Sequence, residues 1–414
     1  MIMENKNNIL YKIMNMIMIG YTIAMLVRLI NVAIINSKIS TYNITEFLIN
    51  YQGGYVRRGM FGEVLYKLKT LFPSLEPRYI IIPLCSICFI IFIGYILKKF
   101  KDNDFCWWIL PLSVCVFGAN DIIRKDHMCM LIAIFILHAF DKIESRMLRY
   151  VTVSLLSILV FNLHECTFFF IGVFILLMML KDKGRMWGWK LVGIISLVAS
   201  MGLICIYKGD KDTAQQIWDS WASLHDYFVN TQPDKAIGAI GWNSIDTFKG
   251  HFSMNFLTYS HGVLCWFSKP IIWSITLFVL LNIMFMRRGW ENNRCSDDTK
   301  RLLSIMIIQF VSLIPMFTIL SCDGSRICFY WTISSMLIYF IIPGDKCLDA
   351  IPRQVQALAE KLQRIIYFKH STKFAIFLMM FLSITNVGTD LRVCISNSVI
   401  GAYYTLFSQM ISGI

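Results

Sequence analysis

Twelve mostly apolar stretches, each long enough or nearly long enough to cross a bilayer, divide this chain and constrain its fold more than any other feature. They run roughly 13–35, 79–97, 105–119, 127–141, 150–163, 166–180, 191–207, 270–286, 302–321, 327–343, 374–390 and 397–413. In lipid, backbone polar groups must be satisfied within the protein, so a succession of such stretches becomes a bundle of helices. The sequence predicts an all-α polytopic membrane helical bundle of about 11–12 transmembrane helices, with the 397–413 stretch left open. Composition agrees: 57% of the 414 residues are hydrophobic and only 16% charged. A water-soluble globule does not have that balance.

Charge divides the connections between the stretches. The N-terminus and the even-numbered connections carry 23 of the 39 Lys and Arg residues and the odd-numbered ones 15. This bias predicts a cytoplasmic N-terminus. It also accounts for the net charge of +13, so no nucleic-acid partner is expected. No linker, repeat or low-complexity segment divides the sequence, which reads as a single transmembrane domain, 1–414. Its elaborations are two outer loops, 36–78 and 208–269, and a cytoplasmic amphipathic helix near 353–366, where Val355, Leu358, Leu362 and Ile365 share a face. The first stretch is too long for a signal-peptide core and lacks a cleavage site, so it reads as a retained helix. The 13 cysteines are an odd number placed mostly in apolar stretches and read as small hydrophobes. Cys85 and Cys88 form a CxxC without charged neighbours, which does not suit redox chemistry.

The unusual polar residues gather on the outer side. The first outer loop contains Gly53, Gly54 and Gly59 around Arg57 and Arg58: permissive backbone with two forked cations, the outline of an anion site. The competing reading is a basic interfacial segment with snorkelling arginines. Beyond it, 60–69 reads as an amphipathic segment on the membrane surface. The next outer turn crowds together Asp121, Arg124, Lys125, Asp126 and His127. Between stretches five and six, both about 15 residues, lie His164 and Glu165, which such short helices would hold at membrane depth. Ionisable residues there are costly and point to function, although Glu165 could simply pair with Arg124 or Arg28. A further outer turn holds Asp323 and Arg326, three apart and able to pair with each other. In the 208–269 loop, Ile217, Trp221, Leu224 and Phe228 recur at helical spacing. There Trp218, Trp242, Trp266 and Phe267 suit lipid or sugar rings.

Arg124 heading the fourth stretch, His164 ending the fifth and Arg326-Ile-Cys-Phe-Tyr330 opening a late one together resemble a known family. They are similar to the Wzy-type O-antigen, capsule and exopolysaccharide polymerases, over roughly 110–180 and 320–345. The resemblance implies a multi-pass enzyme of the bacterial inner membrane with a periplasmic active site, acting without metal or other cofactor. Such an enzyme, a glycosyltransferase of polysaccharide and lipopolysaccharide biosynthesis, moves a growing glycan from one undecaprenyl-pyrophosphate carrier to the next lipid-linked repeat unit. It carries over Arg124, His164 and Arg326 as site residues. Implied partners are the undecaprenyl-pyrophosphate-linked oligosaccharide, membrane lipids and a chain-length regulator.

The chemistry of that transfer sorts the remaining candidates. A base must take a proton from the acceptor hydroxyl, for which Glu165, His164, Asp121 and Asp126 are candidates. Cations must offset charge on the departing pyrophosphate, for which Arg57, Arg58, Arg124 and Arg326 are candidates. Asp323 and His127 would support them. Three alternatives remain. A transferase using polyprenyl-phosphate sugar would need an acid early in the first outer loop, where Glu46 precedes Gly53 and Glu63 follows it. A transporter or flippase of lipid-linked glycans would show inverted repeats, and none is visible. An acyltransferase would use His164 as base.

Overall fold

The computed structural model describes residues 41–100, 123–182, 187–227, 235–254, 297–321 and 324–365, with Pro233 and the isolated positions Met16, Gly20 and Ile23. The stretches read at 105–119, 270–286, 374–390 and 397–413, and most of 13–35, lie outside these residues. So do Arg28, Asp121, Phe228, Trp266, Phe267 and Asp323.

Among the described residues there are fourteen α-helices and no strand. They are α1 (Thr41–Leu48), α2 (Gly59–Leu71), α3 (Arg78–Phe100), α4 (Asp126–Lys142), α5 (Arg146–Leu163), α6 (Val173–Lys181), α7 (Trp187–Ile206), α8 (Lys211–Asp219), α9 (Lys235–Gly238), α10 (Ser244–Phe252), α11 (Asp297–Pro315), α12 (Gly324–Ile341), α13 (Gly344–Ala350) and α14 (Arg353–Ile365). Four segments are long and apolar enough to cross a membrane: Arg78–Ile96, Arg146–Leu163, Trp187–Ile206 and Lys300–Leu320. They suit a multi-pass membrane protein. Phe168–Lys181 and Tyr330–Ile341 are apolar but shorter.

The expectation that the fifth and sixth stretches are both short holds only for the sixth. Helix α5 reaches back to Arg146 and has 18 residues. Its first turn keeps its charges because the Arg149 Nε donates to Ile143 O at 2.8 Å, and Arg146 and Arg149 both lie within 4 Å of Asp182. The sixth stretch opens with a π-helical turn, Phe168–Gly172, before α6 begins. A π turn leaves carbonyls off the i to i−4 ladder, and Ser312 Oγ on α11 donates to Phe169 O at 2.6 Å. A second π turn, Met316–Leu320, ends α11 beyond Pro315.

The outer elaborations are folded onto the bundle. Helix α2 runs close beneath the end of α1, and a Cβ at Gly62 would stand 2.0 Å from Ile49 O. Helix α8 starts at Asp210, whose carboxylate accepts from Thr213 N at 2.7 Å, a conventional N-cap. Ile217, Trp221 and Leu224 are buried, and the Trp221 Nε1 donates to Leu48 O at 2.8 Å. Trp218, expected to meet lipid or sugar, is instead in the core, stacked on His225 at 4.4 Å. The 60–69 segment forms α2, with Gly59, Gly62 and Leu65 buried.

The opposite end holds further ion pairs besides those of Arg146 and Arg149 with Asp182: Lys346 with Asp141 at 2.9 Å and Lys300 with Glu360 at 2.6 Å. Helix α14 packs Val355 and Leu362 beside Leu303, Ile307 and Ala359. Leu358, expected on that face, is exposed, because Ala359 takes the inward position.

Candidate functional site

Four segments far apart in sequence meet at one end of the bundle. They are α1 with its following loop, the start of α4, the α5 to π-turn junction and the start of α12. The loop after α1 is a tight turn: Gly54 has φ +103 and its N–H donates to Tyr51 O at 3.0 Å. Arg58, four residues on, is left-handed at φ 63, a conformation that costs a side chain of its size about a kilocalorie or more. Three contacts hold it there. The Arg57 N–H donates to Tyr207 O at 3.2 Å, Lys125 Nζ donates to Arg58 O at 3.3 Å, and the Arg58 guanidinium clasps Glu165. That clasp is bidentate, Nε to Oε2 at 2.7 Å and Nη2 to Oε1 at 2.6 Å.

From Arg58 the charges continue inward. Its Nη1 donates to Glu46 Oε1 at 3.2 Å, and the same oxygen lies 3.3 Å from His164 Nε2. That nitrogen is also 2.9 Å from Arg326 Nη2, so one proton on the ring decides which neighbour it bonds. If Nε2 carries it, the ring donates to Glu46. If not, it accepts from Arg326. Arg326 is anchored on Asp126 by Nε to Oδ2 at 2.9 Å and Nη2 to Oδ1 at 2.7 Å. Tyr330 OH donates to the same Asp126 Oδ1 while its ring stacks on Phe170 at 4.7 Å. Arg57 adds a looser pair, 3.3 Å to Glu165 Oε1, and donates to Ala239 O at 3.3 Å.

Depth sorts these groups. Glu46, Asp126 and His164 side chains are 1%, 2% and 3% exposed, whereas Arg57 is 31% exposed. A ligand therefore meets Arg57 first and Glu46, Asp126 and His164 last. Burial alone would raise the Glu46 carboxyl, but the hydrogen bond with His164 and the charge of Arg58 outweigh it and hold it well below the carboxylate range. Burial would lower Arg58, and Glu165 followed by Glu46 reverses that. Lys125 is fully buried with its Nζ over the Phe47 ring at 5.4 Å. Burial lowers it to about 8. Glu46, Glu165 and Asp126 face Arg57, Arg58, Arg326 and Lys125, so with Lys125 protonated the cluster carries one positive charge in excess. Glu46 Oε2 is buried and, among the described residues, without a hydrogen-bond donor.

Of the residues predicted from sequence, the structure brings Arg57, Arg58, Asp126, His164, Glu165 and Arg326 together. Arg124 is half-buried at the same helix start, near enough for its charge to act on Asp126. His127 is not in the cluster: it is buried edge-on to Phe89 at 4.9 Å and beside Phe92 at 5.6 Å. Sequence reasoning names Glu46 only for the polyprenyl-phosphate-sugar alternative and leaves Lys125 and Tyr330 out of the site. The available signal for Glu46 was a helix, Thr41–Leu48, with polar residues at Asn43, Thr45 and Glu46 followed by Asn50, all of which are buried. Among the described residues no three His, Cys, Asp or Glu side chains converge as a metal site. No protein-family model matches the sequence, and neither a curated protein nor a solved structure matches it.

Proposed function

We propose that this chain is a polysaccharide polymerase of a bacterial inner membrane, with its N-terminus cytoplasmic and the charged cluster on the periplasmic side. It transfers a glycan from an undecaprenyl-pyrophosphate carrier to another lipid-linked repeat unit. The observation that carries this reading is the convergence of Arg57, Arg58, Arg326 and Lys125 with Glu46, Glu165 and Asp126 around His164, with one positive charge in excess when Lys125 is protonated. Forked guanidiniums suit pyrophosphate oxygens, and a preset field of cations stabilises charge that develops as a carrier leaves. In the transfer, the acceptor oxygen bonds the anomeric carbon as the bond to pyrophosphate breaks, the electron pair staying on the pyrophosphate. The acceptor proton goes to a carboxylate of the cluster, for which Glu46, whose Oε2 has no hydrogen-bond donor among the described residues, is the candidate.

One observation favours a second reading, a transferase that uses polyprenyl-phosphate sugar: an acid early in the first outer loop, Glu46, is part of the cluster. Purified chain incubated with undecaprenyl-pyrophosphoryl oligosaccharide separates the two. The polymerase reading expects longer lipid-linked glycan, lowered about a hundredfold or more in Arg57→Lys and Arg326→Lys, because a point charge cannot replace the fork. Extension only with a polyprenyl-monophosphate sugar selects the second reading. No extension with either donor sinks both.

A further inference from the structure

The loop that delivers Arg57 also builds an aromatic surface that the charge chemistry does not use. Tyr51 and Tyr55 stack at 5.3 Å, and Tyr207 at the end of α7 meets Tyr55 edge-on at 5.5 Å. Tyr55 and Tyr207 are 41% and 48% exposed, although the tryptophans nearby at Trp218 and Trp221 are fully buried. The exposed rings are held in place. Tyr55 OH donates to Asn162 Oδ1 at 2.6 Å, and Asn162 Nδ2 donates back to Ile158 O at 2.8 Å. The backbone turn at Gly54 brings Tyr51 and Tyr55 face to face, and Tyr207 O accepts the Arg57 N–H.

Resting on the transfer reaction above, we propose that Tyr55 and Tyr207 form the subsite for the sugar ring next to the carrier pyrophosphate. A glycosyl pyrophosphate presents two different surfaces a few ångströms apart, a ring with an apolar face and an anion. The loop offers a matching pair in the same order, an aromatic ledge and, two residues on, the most exposed guanidinium of the cluster. A ring fixed by a hydrogen bond loses little freedom on stacking, which is what a recognition surface requires. Tyrosines resting on lipid need no such tether.

The test is titration of the protein in lipid nanodiscs with farnesyl pyrophosphate and with farnesyl-pyrophosphoryl glucose, galactose, N-acetylglucosamine and N-acetylgalactosamine. The wild-type chain should bind at least one glycosylated carrier about tenfold more tightly than bare farnesyl pyrophosphate, the size of one good aromatic contact. Tyr55→Ala and Tyr207→Ala should each remove most of that preference while affinity for the bare carrier stays within about twofold. Tyr55→Phe, which keeps the ring and loses the tether, should fall between. Retention of the full preference in both Ala variants overturns the subsite, as does an equal loss for bare and glycosylated carriers, the result expected if the rings rest on lipid. Absence of any pyrophosphate binding by the wild type overturns instead the reading on which the subsite rests.

Discussion

Glu46 and Glu165 share the Arg58 guanidinium, and the way they share it separates their roles. Glu165 gives both oxygens to Arg58 and one also to Arg57, so both its oxygens are committed to holding the arginines. Among the described residues Glu46 uses only Oε1 and leaves Oε2 without a donor. Glu46→Gln should therefore fold and bind carrier while losing turnover by roughly the hundred- to ten-thousand-fold of a general base. Glu165→Gln should show the opposite pattern. Breaking a partly buried pair costs about 3 kcal/mol, so its melting temperature should fall while the folded fraction keeps measurable transfer. Thermal unfolding followed by initial rates per folded molecule distinguishes the two, and a reversed pattern returns the base to Glu165. The pH sign follows from Glu46: its carboxyl is depressed in the fold, so it contributes stability above the unfolded value of about 4.3, and that contribution is lost as pH falls through the lower folded value.

Helix identity was easier to read than helix ends. The 60–69 and 353–366 segments correspond to α2, Gly59–Leu71, and α14, Arg353–Ile365, because an amphipathic period survives in any tertiary setting. The start of α5 was misread because charges at Arg146 and Arg149 look like loop until Asp182, more than thirty residues later, arrives to hold them. Trp218 differs from expectation for the same reason: whether a tryptophan meets lipid, sugar or core depends on what covers it, here His225. Glycines in the outer loop were read as permitting tight backbone, and at Gly62 the requirement is steric. A Cβ there would meet Ile49 O at 2.0 Å and its carbonyl carbon at 2.5 Å, backbone that has no rotamer to yield. Gly62→Ala should lower stability by at least about 1–3 kcal/mol, the cost of overpacking, and reduce activity by displacing the Arg57 loop. An unchanged melting temperature would show that α1 and α2 can part without cost.

Across the whole molecule the two ends differ in kind. One gathers buried charges from segments as distant as Glu46 and Arg326 into a single network, and the other holds separate pairs, of which Lys346 with Asp141 and Lys300 with Glu360 are partly exposed and contribute little. The sequence made the division of charge legible through loop composition, and it marked six members of the cluster because charges at membrane boundaries are conspicuous. It could not say who pairs with whom, since Arg326 and Asp126 are neighbours only once α12 stands against α4. The proposed reaction places glycan transfer at the end with buried charge, on the outer face. The direct measurement is chain extension of a farnesyl-pyrophosphoryl oligosaccharide, too polar to cross the bilayer in the time of assay, supplied to right-side-out and to inverted membrane vesicles containing this chain. Extension confined to right-side-out vesicles, and lost in Arg326→Lys, is the predicted result. Extension confined to inverted vesicles, or absent from both, would contradict it.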